Sequence, residues 1–201
     1  MPQRYDYTNR EGTEAVSWPR FAELAEQLAG QRAARDVDVI IGIARGGLFP
    51  ATFVAAALRC KMYPVRITRR VNDRVVYDRP VWKVDVTSGV AGRRVAVIDE
   101  MADSGETLEM VAKRALERGA EEVITASLFA HTWADPMPQE VARVSDALVI
   151  FPWDARVLVD GEWQLHPELA RAIALQAAAD EAAPDPAASA LTDGDAAEAE
   201  T

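Results

Sequence analysis

The chain has 201 residues, 49 % of them hydrophobic, and carries a net charge of −10 at pH 7 with a single cysteine. That length is enough for one substantial core, the acidity argues against a nucleic-acid partner, and a lone cysteine excludes a disulfide framework. No apolar run in it reaches the roughly 18 residues of a membrane span, and Met1–Arg10 is polar without a signal-peptide core, so the expectation is a cytoplasmic protein with no membrane partner.

Residues 1–15 read as an N-terminal arm, and the globular domain is expected over 16–179. It opens with an amphipathic helix in "SWPRFAELAEQLAGQ", with Ser17 as N-cap, Pro19 in the first turn and apolar residues at 21, 24, 25 and 28. "VDVIIGIA" is a short β-branched run that ends at glycines, a buried strand. "GGLFPATFVAAALRC" follows as a helix that tolerates Pro50 in its first turn and packs the Cys60 thiol. "MYPVRIT" reads as a second strand. Between Arg59 and Arg94 ten Lys or Arg face three acids, a surplus of about seven, and the part from 69 to 94 has no sustained period, as in a flexible loop or a β-excursion. "RVAVID" is a third strand, ending at Asp99 and Glu100. "GETLEMVAKRALERG" is a helix closed by Gly119, "EVITASLFA" a fourth strand and "DALVIFP" a fifth, and "HPELARAIALQAAA" is a last helix with Pro167 at its start. From Asp180 onward there are seven acids, no Lys or Arg, and almost nothing large to bury, so residues 180–201 are expected to form a disordered acidic tail.

Strands alternating with helices at this spacing predict an α/β fold, a doubly wound and mostly parallel sheet. Such sheets bind ligands beyond the carboxyl ends of their strands, and the two unusual turns, "GIARGGL" and "IDEMADSGET", fall there. In the second turn, Asp99 and Glu100 stand on opposite sides of the sheet rim, suited to adjacent sugar hydroxyls or to one hydroxyl and a metal ion. Asp103 offers a base, since a carboxylate in a partly dry cleft has its pKa raised. Ser104, Gly105 and Thr107 supply small side chains, hydroxyls and amides at a helix start, a phosphate cradle that needs no charged side chain. A P-loop lacks its Lys here, and a receiver domain lacks its other acids and lysine. A plain acidic surface turn is the remaining bland reading.

The order "VAVI", Asp99, Glu100, "MA", Asp103, Ser104, Gly105, Glu106, Thr107 resembles the phosphoribosyl-diphosphate signature of type I phosphoribosyltransferases. The resemblance extends over roughly 16–158 and is nearest to the bacterial and archaeal xanthine-guanine and hypoxanthine-guanine enzymes, a fold with a flexible loop and a small hood. It implies that Asp99 and Glu100 bind the ribose hydroxyls, that Glu100 helps place Mg2+, that Asp103 to Thr107, Glu106 included, cradle the 5′-phosphate, and that Asp103 accepts the proton of purine N7. Anionic groups under the ribose and a metal on the leaving group stabilise the cationic transition state. "IIGIARGGLFPA" resembles the family's pyrophosphate loop: Arg45 meets the diphosphate, Gly46 and Gly47 admit it, and a non-proline cis peptide common in relatives falls at Ala44–Arg45. "DALVIFPWD" resembles the base-binding segment, with Val149 offering backbone groups to the base, Trp153 walling the pocket and Asp154 reaching Mg2+ through water.

Three positions depart from the purine enzymes. Leu148 replaces an aromatic over the base, His131 replaces a lysine against the 6-oxygen, and the mobile-loop Ser-Tyr is absent, leaving Arg69 and Arg70 as candidates to clamp the pyrophosphate. The resemblance implies a Mg2+-dependent enzyme, a pentosyltransferase of purine salvage. It converts phosphoribosyl diphosphate and a free base, with a 6-oxopurine first in line, to a nucleoside monophosphate and pyrophosphate. Leu148 and His131 leave another nucleobase open, and a non-catalytic phosphoribosyl-diphosphate sensor is the reading from another class. Relatives are commonly homo-oligomers, dimers or tetramers.

Overall fold

The computed structural model describes residues 10–31, 36–68, 70–71, 74–77 and 80–182. In chain order the elements are β1 (Thr13–Ala15), α1 (Trp18–Gly30), β2 (Val39–Ile43), α2 (Leu48–Leu58), β3 (Lys61–Thr68), β4 (Arg70–Val71), β5 (Arg74–Val75) and β6 (Val81–Val84). Then come β7 (Arg94–Ala102), α3 (Glu106–Glu117), β8 (Glu122–Ala130), β9 (Glu140–Val144), β10 (Leu148–Ile150), β11 (Arg156–Val159), β12 (Glu162–Leu165) and α4 (Pro167–Ala182).

Six strands form the central sheet in the order β6-β3-β2-β7-β8-β9, parallel throughout except for the edge strand β6. The central strands are apolar on both faces because helices cover both. Ile40, Ala96, Ile98, Ala126 and Leu128 point to one side, where Phe21, Leu24 and Leu28 of α1 and Ala51 and Val54 of α2 pack on them. Val39, Ile41, Val95 and Val97 point to the other, against Leu108, Val111 and Ala115 of α3. This is the doubly wound α/β sheet expected from the sequence. α1 begins as its residues predict, with Ser17 Oγ accepting from the Arg20 amide at 3.2 Å.

Two expectations about strands are corrected. "DALVIFP" is not the fifth strand of the sheet; β10 instead pairs in parallel with β1, outside it. The sheet position is taken by β9, "EVARV", an edge strand that needs an apolar surface only where Val141 and Ala142 meet the cores. β7 also does not end at the acid pair. Its ladder to β8 continues through Met101↔Phe129 and Ala102↔Ala130, because β8 extends equally far.

β1, β10, the β11/β12 hairpin and α4 make a hood over one end of the sheet. Residues 10–15, the described part of the expected arm, belong to this hood: Gln176 of α4 donates to the carbonyls of Arg10 at 3.4 Å and Gly12 at 3.1 Å. The basic stretch is the β-excursion of the two expectations, a short β4/β5 hairpin followed by β6 along β3. α4 runs to Ala182, and residues 183–201 of the expected acidic tail lie outside the described residues. Among the described residues no helix is long and apolar enough to cross a membrane.

Candidate active site

Where β2 stops, the chain turns through Ala44–Gly47 into α2. The β2–β7 ladder ends at Gly42↔Ile98, so Asp99 and Glu100 have no strand on that side and face the turn instead. The approach is close. A Cβ on Gly47 would stand 2.6 Å from the Ile43 carbonyl oxygen and 2.7 Å from Asp99 Oδ1, and one on Gly46 would run into the Glu100 carboxylate. At Gly47 the backbone leaves room for glycine alone, whereas at Gly46 a larger residue would displace the Glu100 carboxylate. The peptide Ala44–Arg45 is cis, at the position implied by the family resemblance.

The acid pair has been taken largely out of water. Asp99 is buried, its Oδ1 accepting from the Glu100 amide at 2.9 Å, and burial first and the neighbouring Glu100 charge second hold its carboxyl well above the ordinary range. Oε2 of Glu100 is also buried, and it has no hydrogen-bond partner. Such an orphan acceptor costs stability unless a ligand answers it.

After β7 the chain passes through Asp103, Ser104 and Gly105 into α3. Gly105 has φ +80°, and a Cβ on it would collide with the carbonyl of Pro136, so the turn is closed by the loop that follows β8. α3 has no side-chain cap at Gly105, and Ser104 Oγ accepts only a long 3.4 Å bond from the Glu106 amide. Uncapped amides at a helix start form an anion site.

The opposite wall is assembled from distant segments. Asp103 is 39 % exposed but not alone: Arg10 Nη2 donates to its Oδ1 at 3.0 Å, and Trp133 Nε1 lies 3.4 Å from the same oxygen. His131 is buried, stacked on Trp133 at 4.4 Å between centroids, with Nε2 3.9 Å from Asp103 Oδ1. Its Nδ1 donates to the Ser145 carbonyl at 2.6 Å, which leaves Nε2 as the acceptor of the neutral ring. Burial, and next the Arg10 charge, push its pKa below the usual histidine value, which favours the neutral ring. Asp146 ties the two wall segments together by accepting from the amide and hydroxyl of Thr132 at 2.8 and 2.7 Å.

Leu148 and Ile150 commit backbone groups to the segment around β1, through Leu148 N–H to Gly12 and Val16 N–H to Ile150. In a parallel ladder the residue between them turns its amide and carbonyl to the other edge, so Val149 offers both where, among the described residues, no strand covers β10. Trp153 lines the cavity, yet it is fixed in a stack between Phe49 at 4.2 Å and Phe151 at 4.9 Å. It is both a wall and a core aromatic. Asp154 is 66 % exposed at the rim, near His166.

These residues surround one cavity of about 610 Å3. Arg45, Gly46, Asp99, Glu100, Asp103, Ser104, Gly105, Glu106, Thr107, His131, Leu148, Val149, Trp153 and Asp154 all line it, and Gly47 backs it. Arg69 lies outside the described residues, and Arg70 stands in β4. Not all of the basic surplus belongs to the cavity: Arg94, at the opposite end of β7, is paired with Glu122 at 3.2 Å. Sequence reasoning missed Arg10, Phe49 and Phe151. The two phenylalanines sit at helix and strand positions that read as ordinary core, and Arg10 falls in a polar stretch with no periodicity to place it.

The phosphoribosyl transferase domain matches residues 17–160 of the chain. A xanthine-guanine phosphoribosyltransferase from Idiomarina loihiensis is 29 % identical over 141 residues, which are 69 % of this chain and 85 % of that protein. The crystal structure of a purine phosphoribosyltransferase from Pyrococcus horikoshii superposes with a TM-score of 0.65 at 25 % identity, covering 75 % of this chain and 99 % of that one. A Neisseria gonorrhoeae protein crystallised with bound ppGpp shares the fold, with a TM-score of 0.59 at 22 % identity over 84 % of this chain and 97 % of that one. The chain belongs to the phosphoribosyl transferase domain family and is a pentosyltransferase enzyme.

Proposed function

We propose that the enzyme transfers the phosphoribosyl group of phosphoribosyl diphosphate to a 6-oxopurine, in a Mg2+-dependent reaction of purine salvage. The observation that carries this reading is the convergence of the Ala44–Gly47 turn, the Asp99–Glu100 pair and the Asp103–Thr107 turn on one cavity. Their chemistry divides naturally. The uncapped start of α3 takes the 5′-phosphate, the acid pair takes the ribose hydroxyls, and Arg45 with the glycine turn takes the diphosphate. Asp103 accepts the N7 proton, Val149 presents its backbone to the base edge and Trp153 closes the wall. As the bond to diphosphate breaks, positive charge grows on the ribose, and the Glu100 carboxylate stabilises that charge while Asp99 holds a ribose hydroxyl.

Magnesium fits this donor set. Among the described residues no group of three His, Cys, Asp or Glu makes an all-protein metal cage. Mg2+ is ordinarily held by one or two carboxylates, with water and substrate phosphates completing its shell, and the unpartnered Oε2 of Glu100 is such a carboxylate. Asp154 at the rim would reach the ion through water. What magnesium supplies there is neutralisation of the departing diphosphate.

Pyrophosphate release from phosphoribosyl diphosphate and Mg2+ tests the reading, with hypoxanthine, guanine, xanthine, adenine, uracil and orotate offered one at a time. Release with an oxopurine is expected. Release only with a pyrimidine would move the assignment to the reading that Leu148 favours, since an aliphatic side chain gives the base less stacking area than an aromatic one. Calorimetric binding of phosphoribosyl diphosphate with no release for any base would leave the sensor reading.

A further inference from the structure

Asp103 takes both of its protein donors on one oxygen. Arg10 Nη2 donates to Oδ1 at 3.0 Å and Trp133 Nε1 donates to the same atom at 3.4 Å, while among the described residues no group bonds Oδ2. The carboxylate lines the cavity with its side chain 39 % exposed, so one oxygen is anchored and the other is left to a ligand. The donors are anchored in turn. The Arg10 guanidinium lies over the Trp133 ring, 5.0 Å from its centroid, and that ring stacks on the buried His131. Gln176 of α4 holds the Arg10 carbonyl, the Glu11 amide donates to the Asp146 carbonyl at 3.0 Å, and the Asp146 carboxylate fixes Thr132, the neighbour of Trp133. As a device for stability this ion pair is poor. Its arginine is only 8 % exposed and keeps Nη1 buried without a hydrogen-bond partner, a desolvation that one part-exposed carboxylate does not repay. What two donors from separate segments do secure is the direction of the carboxylate.

We propose that Arg10 and Trp133 are positioning residues, which hold the Asp103 carboxylate by Oδ1 so that Oδ2 meets the N7–H of the acceptor base. The assignment rests on the proposed reaction and names what aims its general base. In that reaction N9 bonds to the ribose as diphosphate leaves with the electron pair of its C–O bond. The N7–H bond breaks, its electron pair stays on the imidazole ring, and the proton passes to Oδ2, from which the part-exposed carboxylate returns it to water. Such a transfer needs the acceptor oxygen within hydrogen-bond reach, about 2.6–3.2 Å, and a misplacement of about 1 Å can cost roughly 100-fold in rate. An unanchored aspartate turns about two side-chain bonds, and either rotation carries its oxygens that far. The pair of donors on Oδ1 removes both rotations.

Steady-state kinetics on the full chain, with the oxopurine that the wild type turns over fastest, tests the assignment through a double-mutant cycle. Arg10→Met keeps the length of the side chain and loses its donors. It is expected to lower kcat about tenfold, with the KM of the base and the calorimetric affinity for phosphoribosyl diphosphate within about threefold of wild type. In an Asp103→Asn background the same substitution should cost less than about twofold, because a residue that acts only through Asp103 has nothing left to act on. Arg10→Lys keeps a charged donor without the planar fork and recovers part of the loss. Trp133→Phe removes the second donor and keeps the stack; its smaller fall in kcat should also vanish in the Asp103→Asn background, and this arm carries the test if Arg10→Met does not fold. A wild-type kcat in Arg10→Met overturns the assignment and leaves the reaction standing. An equal loss in both backgrounds does the same, and makes Arg10 a support for the hood. A wild-type chain that turns over no oxopurine overturns the reaction and the assignment together.

Discussion

The two halves of the cleft are built in different ways. The half proposed for phosphate is nearly continuous in sequence, from Asp99 to Thr107 with the Ala44–Gly47 turn beside it, and its geometry comes from backbone: glycines with little room for a Cβ and a helix start without a cap. The half proposed for the base is a composite of Arg10, the segment after β8 and the segment around β10, held by side-chain bonds among Asp103, Thr132, Asp146 and Gln176. Backbone-built sites tolerate little change in shape. Side-chain-built sites are retuned one substitution at a time, and the departures at His131 and Leu148 both lie in the second half.

That contrast can be broken at four points. Asp103 stands where the halves meet, and Asp103→Asn should lower kcat roughly 100-fold or more, the usual worth of a general base, while leaving phosphoribosyl-diphosphate binding close to wild type. Comparable turnover of the two proteins would remove Asp103 from that role. Gly46→Ala pushes a methyl group into the Glu100 carboxylate and should weaken phosphoribosyl-diphosphate binding by about tenfold in calorimetry, an overpacking cost of one to a few kcal/mol. Wild-type affinity in that variant would mean that the turn gives way and is not rigid.

Asp99→Asn tests the electrostatics of the phosphate half. The folded pKa of Asp99 is raised above its unfolded value, so the folded chain keeps a proton that the unfolded chain gives up. Its contribution is therefore most favourable below the unfolded pKa of about 4 and is lost as pH rises through the raised folded value. The variant should gain about 3 °C in Tm at pH 8, gain little at pH 4, and bind phosphoribosyl diphosphate less well. An equal Tm change at both pH values would show that Asp99 is not held protonated by its surroundings. The smallest effect belongs outside the cleft, at Asp85, whose carboxyl is held well below the ordinary range first by hydrogen bonds from Arg114 and then, against a modest desolvation, by Arg118. With the folded pKa depressed, this contribution is present above about pH 4 and lost as pH falls through the depressed value. The Asp85 side chain is 32 % exposed and water screens the cluster, so Asp85→Ala should cost no more than about 3 °C at neutral pH. A larger loss would make the β6–α3 contact part of the stability of the whole sheet.

The sheet and the phosphate half were legible in the sequence for the same reason: local pattern dictates them. Val39–Ile43 is apolar on every residue because helices cover both faces, and the acid pair, bare turn and hydroxyls from Asp99 to Thr107 lie in one stretch. The errors came where burial is one-sided or remote. β9 carries Glu140 and Arg143 because, at the edge of the sheet, only Val141 and Ala142 meet the cores, so it lacks the pattern of a buried strand. β10 looks like one because Val149 packs against the core while its neighbours line a small cavity beside α4, all outside the sheet. Arg10 gave no local signal, since what makes it part of the cavity is its bond to a residue 93 positions away.

The docking of Arg10 by Gln176 joins residues 166 positions apart, and this has a consequence for synthesis. A chain emerging from the ribosome has all of β2, β7, β8 and α3 available before β10 or α4 exist. The half proposed for phosphate can take shape early, but the segment around Arg10 must wait for α4 before it has its place. Long-range closures of this kind form slowly and late. The nascent chain thus completes the turns proposed for phosphate before the wall proposed for the base.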